Sequence, residues 1–191
     1  MGIYHLKKII LLLSLSTMLL AEAKVYVGTN LGVEHENYTN DVKAKALSPI
    51  ANIHVGYGVR EAYSIQFGLE YVDLKPDTSV QNINLDGKKY GLNVSFIKAV
   101  DLDIFILPYA KVGFGAGFFE PTEPSSTNKR LNYGSYNIGT GFYIPLNKKF
   151  DFEVGYDYKY ISHEATDKER PSETSNKSHI SILYIGFNAR F

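Results

Sequence analysis

Apolar residues alternate with glycine or polar residues in eight separate segments of the chain, the first starting at Val25 and the last ending at Phe191. In the last segment, 183–191, every odd position is apolar. A period of two puts successive side chains on opposite faces of a β-strand, so each segment predicts a strand with one apolar and one polar face. The alternating segments are 25–34, 51–58, 63–71, 89–96, 109–118, 136–143, 151–160 and 183–191, and the last of them ends a strand that begins at Ser178. The alternation therefore predicts an all-β domain of eight strands.

The connections between these segments alternate in length. Short links occur at 59–62, 98–103 and 145–149, whereas long polar links occupy 35–46, 75–86, 119–130 and 162–177. Both ends of the predicted strand series lie on the side of the short links. Short turns on one side and long loops on the other are typical of an antiparallel up-and-down transmembrane β-barrel whose short turns face the periplasm. Because every backbone N–H and C=O needs a protein partner in hydrocarbon, the first strand should pair with the last.

The glycines indicate which face of each strand points into the barrel. They lie almost entirely on the polar faces, as Gly56, Gly115 and Gly155 do. The interior of an eight-stranded barrel is only just wide enough for side chains, so small residues belong where the polar face points inward. Aromatic residues such as Tyr71 and Tyr90 begin or end the apolar rows, as expected for girdles at the two membrane interfaces. We therefore predict that the apolar faces contact lipid, with a soluble β-sandwich around an aromatic core as the alternative.

The amino terminus has the pattern of an export signal. Two lysines precede an apolar run over 9–20, and Ala-Glu-Ala follows it at 21–23. This pattern predicts a cleaved signal peptide over 1–23 and a barrel domain over 24–191. The chain has no cysteine, so neither a lipoprotein site nor a disulfide is expected. Its 20 basic and 20 acidic side chains balance, which argues against nucleic-acid binding, and no cofactor is expected.

Charged side chains of both signs meet in the narrow lumen if the polar faces line it. Buried charges are tolerated only when they are paired. Arg190 lies near the periplasmic end of its strand, as Asp151 does on the neighbouring one, so Arg190 should pair with Asp151 or Glu153. Glu70 and Lys111, at similar predicted height, form a second candidate pair. The candidate site is therefore a luminal charge network, and such pairing favours a filled interior over an open pore; its members are Glu70, Lys111, Asp151, Glu153 and Arg190.

The terminal strand Leu183–Phe191 and the glycine-rich segment Pro108–Gly117 resemble those of the OmpA-like and Opa-like family of small outer-membrane β-barrel proteins. The resemblance covers essentially the whole chain after the predicted leader. It implies a location in the outer membrane of a Gram-negative bacterium, surrounded by outer-membrane lipid and lipopolysaccharide. In that family the barrel assembly machinery reads a terminal aromatic residue, so the resemblance implies that Phe191 is an assembly signal.

The external links are the predicted functional surface. Segments 120–130 and 163–177 are polar and mixed in charge, which is typical of exposed loops. We expect a monomeric barrel with a structural or surface-interaction role and no catalysis, and a host or phage surface is the candidate partner. A small, low-conductance, porin-like diffusion channel is the alternative.

A lipid A-modifying enzyme is the third hypothesis, because some eight-stranded outer-membrane barrels have that activity. Ser178, His179 and Ser181 begin the last strand, and His163 and Glu164 precede it, so a nucleophile, a base and a carboxylate could meet there. Adjacent residues of a strand point to opposite faces, however, and Ser178 therefore cannot pair directly with His179. The histidines at positions 35, 54, 163 and 179 lie singly, without the spacing of a metal site.

Overall fold

The protein is a closed barrel of eight antiparallel strands in the computed structural model, which describes residues 23–38, 45–74, 87–122, 130–163 and 177–191. The strands are β1 Lys24–Tyr38, β2 Lys45–Gly58, β3 Tyr63–Leu74, β4 Gly87–Ala99, β5 Leu107–Pro121, β6 Leu131–Pro145, β7 Phe150–His163 and β8 Lys177–Arg190. Each strand pairs with its neighbours in sequence, and β1 pairs with β8 to close the barrel. The predicted all-β, up-and-down architecture is confirmed. The leader lies outside the described residues except for Ala23, so its cleavage stays a prediction.

The short turns match the sequence prediction more closely than the outer strand ends do. The β2–β3 turn covers 59–62 as predicted, and Val59 N donates to Tyr63 O at 2.8 Å. The β4–β5 connection is 100–106 rather than 98–103. On the opposite side β1 continues to residue 38, into the predicted link 35–46, and β5 continues to residue 121, into the predicted link 119–130. Backbone pairing between β1 and β8 continues there although the side chains change character, so these predicted loop limits were wrong.

The predicted orientation of the faces is also confirmed. Phe67, Val94 and Phe187 point outward and are 57%, 43% and 41% exposed, whereas Tyr26 and Asn188 point inward and are fully buried. A surface of this kind is stable only against hydrocarbon, because contiguous apolar patches of such extent are rare on soluble monomers. Among the residues described, no helix is long and apolar enough to span a membrane.

Aromatic pairs lie across neighbouring strands on the outer face. At the outer side Tyr90 contacts both Tyr71 and Phe118, with ring centroids 5.4 and 5.1 Å apart. Toward the short turns Tyr63 stacks on Phe96 at 5.5 Å. Each such pair contributes about 0.5–1.5 kcal/mol beyond the area that it buries. The two groups of rings occupy the levels that interfacial girdles require.

The strands are longer than the hydrocarbon layer, and their polarity inverts above it. The 14 residues of β8 reach about 35 Å along the membrane normal at ~3.3 Å per residue and a tilt of about 40°, against an apolar band of about 25 Å. In the outer part of β8 the polar residues His179 and Ser181 face outward, while Ile180 and Ile182 face inward and are buried. The barrel therefore projects beyond the bilayer with an apolar interior and a polar exterior.

Buried side chains from six strands meet inside this projecting part. We call them the outer cluster: Ile50, Val72, Leu74, Phe119, Tyr133, Ile161, Ile180, Ile182 and Tyr184. Most of them were not predicted to be buried, because they lie at or beyond the positions where the alternation of apolar and polar residues changes phase. Every second residue of each strand faces the lumen, and extending this rule past that point predicts their burial.

Candidate functional site

The periplasmic end of the lumen holds two arginines on one aspartate. Arg190 Nε lies 2.5 Å from Asp151 Oδ2, and Arg60 Nη1 lies 3.0 Å from Asp151 Oδ1. The Arg190 guanidinium also lies over the Tyr26 ring at 4.7 Å from its centroid. Of the two acidic partners considered for Arg190, the structure therefore places Asp151 in contact with it. Arg60 was not singled out in the sequence, since it lies in a turn rather than on a luminal face.

Arg60 connects two periplasmic turns. From the β2–β3 turn its Nη1 donates to Asn147 O at 3.0 Å in the β6–β7 turn, and its Nε donates to Glu61 Oε1 at 2.8 Å. Partial burial lowers the pKa of Arg60, but the hydrogen bonds to Glu61 and Asp151 outweigh it and raise the pKa above its ordinary value. Arg60 is therefore a permanent cation at the mouth.

Glu153 is held one level deeper by hydroxyl and amide donors. Tyr109 donates to its Oε1 at 2.6 Å, and Asn188 Nδ2 donates to its Oε2 at 3.0 Å. Because the Asn188 amide nitrogen faces Glu153, its oxygen faces His54 Nε2, 2.7 Å away. An amide oxygen only accepts, so the Nε2 of His54 carries a hydrogen. The carboxylate, the amide and the imidazole thus form one hydrogen-bonded chain across the barrel.

Lys111 and Asp157 form the ion pair of the next level. Lys111 Nζ lies 2.8 Å from Asp157 Oδ2 and donates to Tyr184 OH at 2.8 Å. The Tyr184 hydroxyl in turn lies 2.8 Å from that of Tyr109, which joins this pair to Glu153. A hydrogen-bonded network of this kind is stable in a low-dielectric interior only because its charged members have partners.

Glu70 and Lys111 do not pair with each other, contrary to the sequence prediction. Glu70 instead accepts from Lys159 Nζ at 2.5 and 2.6 Å, and these residues lie on β3 and β7, which are opposite each other in an eight-stranded barrel. Through β4, Glu70 is in register with Gly117 of β5, six residues from Lys111 along that strand. The stagger of the strands therefore places Glu70 and Lys111 at different heights along the barrel axis. This stagger cannot be read from the sequence of a single strand.

Two buried carboxylates share one lysine near the outer cluster. Lys89 Nζ lies 2.6 Å from Glu34 Oε1 and 2.8 Å from Glu36 Oε2, and all three residues are at most 3% exposed. Glu34 and Lys89 lie on the polar faces of the predicted strands 25–34 and 89–96, whereas Glu36 falls in the predicted link 35–46. Since β1 continues to residue 38, Glu36 lies two positions after Glu34 on the same strand and also faces the lumen.

Little empty space is left inside the barrel between these luminal ion pairs. The cavity inside the barrel, between the Lys111 and Lys159 ion pairs, has a volume of about 40 Å³, which is room for a few water molecules. Glycines provide that fit: a Cβ at Gly141 would lie 2.7 Å from Tyr109 Cζ, and one at Gly91 would lie 2.9 Å from Tyr133 OH. Side chains thus fill the lumen from the periplasmic mouth to the outer cluster.

The residues of the enzyme hypothesis lie apart. Ser178 faces inward and is fully buried, whereas His179 and Ser181 face outward, where they contact the hydroxyls of Tyr158 at 2.6 Å and Tyr156 at 3.0 Å. His163 packs edge-on against Tyr133 at 5.8 Å between centroids, and Glu164 lies outside the described residues. Within the described ranges, no group of three or more histidine, aspartate or glutamate side chains is placed to hold a metal ion.

The profile of the family described as outer membrane protein beta-barrel domain matches residues 9–191 of the sequence. The chain belongs to this family. Membership places the protein in the outer membrane of a Gram-negative bacterium, in lipid and lipopolysaccharide, and confirms the location that the sequence resemblance implied. No curated protein sequence matches the chain significantly.

Solved structures of small outer-membrane barrels share the fold. Neisserial surface protein A is 19% identical, with 88% of this chain and 99% of that chain covered and a TM-score of 0.60. OprG from Pseudomonas aeruginosa is 14% identical, with 90% and 96% covered and a TM-score of 0.56. Ail of Yersinia pestis, in complex with sucrose octasulfate, is 12% identical, with 88% and 99% covered and a TM-score of 0.53. At these identities the likeness shows the fold alone.

Phe191, the predicted assembly signal, lies just past β8 on the lipid-facing side. Its backbone N donates to Val25 O at 3.0 Å, and its side chain is 75% exposed. An aromatic ring in this position packs little within the barrel and is accessible to another protein. Its role in assembly stays a prediction.

Proposed function

We propose that the protein is a closed, non-catalytic barrel with a structural or surface-interaction role, which presents its long external segments to the surroundings of the cell. The observation that carries the proposal is the filling of the lumen over its whole height. A barrel without a path for solutes can serve the cell through its anchorage in the membrane or through its external surface.

Two kinds of barrier support a closed state over a diffusion channel. In the membrane-spanning part, an ion would have to separate buried pairs such as Glu70–Lys159 and Lys111–Asp157, and breaking a buried pair costs about 3–5 kcal/mol. In the projecting part, an ion would have to pass the outer cluster, and hydrophobic constrictions exclude water and ions. The two barriers act in series.

The outer strand ends support the surface role. They stand about 10 Å beyond the apolar band by the length and tilt used above, and their outward side chains are polar, as Lys88, Glu120 and Asn132 are. The segments that follow, among them 164–176, are rich in charged and hydroxyl residues. Two of the structures that share the fold are of proteins named for the cell surface and for attachment. For this chain the proposal rests on its own geometry.

One variant with two readouts tests the proposed function. Residues 164–176 are replaced by a short Gly-Asn-Gly turn between β7 and β8, and parent and variant are compared. In planar bilayers neither protein is expected to conduct ions, because strand side chains rather than the external segment close the lumen. On whole cells, the variant is expected to lose most of the parent's adherence to eukaryotic cell monolayers or its adsorption of phage.

Heat modifiability of both proteins on gels, with folded and boiled forms migrating differently, controls for insertion. Stable conductance steps from the parent would instead favour the diffusion channel. A variant that adheres and adsorbs phage as the parent does would remove that segment from any surface role.

Deleting Phe191 is expected to lower the amount of barrel in the outer membrane of cells about tenfold, while refolding of the purified chain into detergent changes little. The reason is that the exposed ring contributes little packing but is available to the assembly machinery. Quantitative blotting of membrane fractions and the heat-modifiable fraction after refolding measure the two effects. Phe105→Ala is the matched control, since Phe105 is an equally exposed aromatic residue at the same end of the barrel (78%). Equal losses in both assays would indicate a stability defect and contradict the assembly role.

A further inference from the structure

A cationic pocket opens at the periplasmic mouth of the barrel. Its volume is about 250 Å³, and the start of β1, the β2–β3 turn, the β6–β7 turn and the end of β8 line it. Four of its seven lining residues are basic and one is acidic; they are Lys24, Gly58, Val59, Arg60, Glu61, Lys148 and Arg190. Clefts lined by one sign of charge concentrate the opposite ion.

The acidic side chains in and next to the pocket are already occupied. Glu61 and Asp151 both contact Arg60, and Asp151 also contacts Arg190. Lys24 and Lys148 form no ion pair with any part of the chain that the structure describes. The pocket therefore has an excess of positive charge, to which the α-amino group of Lys24 would add if the predicted leader is cleaved.

Arg190 contributes a donor that lacks an acceptor. Its side chain is 3% exposed, its Nε is bound to Asp151, and its Nη1 has no hydrogen-bond partner in the described parts of the chain. A guanidinium nitrogen can only donate, and a buried polar atom without a partner costs free energy. Nη1 is buried in the free protein, so a small rotation of the Arg190 side chain toward the pocket would let a bound acceptor remove this cost.

We propose that the pocket binds a phosphoryl group presented from the periplasmic side, either as a free phosphate or diphosphate or as the headgroup of a phospholipid in the inner leaflet. A phosphoryl group carries several acceptor oxygens, which suits a guanidinium edge together with flexible ammonium groups. Lys24 and Lys148 neutralise its charge, and Arg190 Nη1, which is buried in the free protein, turns toward the pocket and donates to one of its oxygens. Arg60, held by both turns, keeps the pocket walls in place. This site lies at the opposite end of the barrel from the proposed surface role and is independent of it.

Calorimetric titration of the membrane-purified protein, in an uncharged detergent without phosphate, with inorganic pyrophosphate tests the free-anion source. Saturable binding at one site is expected, weakened about tenfold in Lys148→Gln and in Arg190→Lys, since each loses one charge-assisted hydrogen bond. Lys149→Gln is the matched control, because it removes the same charge from the same turn without touching the pocket. Heat modifiability confirms that each variant is folded.

Native mass spectrometry with phosphatidylglycerol, and with diacylglycerol of the same chains, tests the lipid source. An adduct formed only with phosphatidylglycerol and lost in Lys148→Gln would identify a lipid headgroup as the ligand, even without pyrophosphate binding. Equal weakening by Lys148→Gln and Lys149→Gln would mean attraction by net charge alone and would overturn the site. Binding of neither probe would overturn it as well.

Discussion

Gly141→Val in β6 is expected to reduce the yield of folded barrel sharply, whereas Gly134→Val in the same strand should leave it unchanged. A Cβ at Gly141 would overlap the Val154 carbonyl oxygen and lie 2.7 Å from Cζ of Tyr109. Tyr109 cannot move aside easily, because its hydroxyl is bound to Glu153 and Tyr184. Overpacking of this kind costs about 3 kcal/mol. Gly134 faces outward, and its Cβ would have no atom within 4 Å.

The midpoint of urea unfolding in lipid vesicles and the heat-modifiable fraction after refolding measure this difference. The Gly134 variant can gain slightly, since valine favours strands by up to about 1 kcal/mol over glycine. If Gly141→Val does not refold at all, Gly141→Ala provides the smaller step of the same series. Equal midpoints for the variants at 134 and 141 would contradict the assignment of the inward face.

Lys89→Met is expected to destabilise the barrel by about 3–5 kcal/mol, because it removes the cation that contacts two buried carboxylates. Lys88→Met is the matched control: Lys88 is the preceding residue of β4, and it is exposed on the outer face. The same urea titration measures both. The control should change the free energy of unfolding by less than about 0.5 kcal/mol.

A rescue separates loss of charge pairing from loss of packing. Adding Glu34→Gln and Glu36→Gln to Lys89→Met removes both carboxylates, and most of the lost stability should return, since a neutral group in the lumen costs far less than a buried charge. A triple variant as unstable as Lys89→Met would show that the lysine stem, rather than its charge, stabilises the layer.

The strand number, the inward and outward faces and the closure of the barrel were all predictable from the sequence. Parity within a strand is a local property: once Phe187 is known to face lipid, Gly186 and Asn188 must face the lumen. The glycines then decided between a membrane barrel and a soluble one, because a narrow lumen needs small residues on its wall.

The partners of the luminal charges were less predictable. Lys159 crosses the barrel to Glu70, and Lys111 meets Asp157 two strands away. Which charges meet depends on how far each strand is staggered against the next and on the reach of each side chain. The sequence of a single strand shows neither the stagger nor the reach. Glu70 and Lys111 were therefore predicted at similar heights, although they lie at different heights in the barrel.

The strand ends at the outer side were misjudged for a different reason. There the surroundings change from hydrocarbon to water and sugar, so the preferred polarity of the outward face inverts while the backbone pairing continues. Glu36 and Phe119 therefore look like parts of loops in the sequence but are buried in the barrel. The contacts of Arg60 with Asn147 and Asp151 likewise depend on the tertiary structure, because these residues are far from Arg60 in the sequence.

By itself, the sequence determined a chain of eight two-faced strands with apolar residues outside, because the alternation of residues and the placement of glycines are local features that can be read without knowledge of tertiary contacts. Only the tertiary structure decided which charges neutralise each other, how the outer cluster closes the lumen and where basic residues gather at the periplasmic mouth. Those features depend on the stagger of strands around a closed cylinder, which brings together residues that the chain keeps far apart.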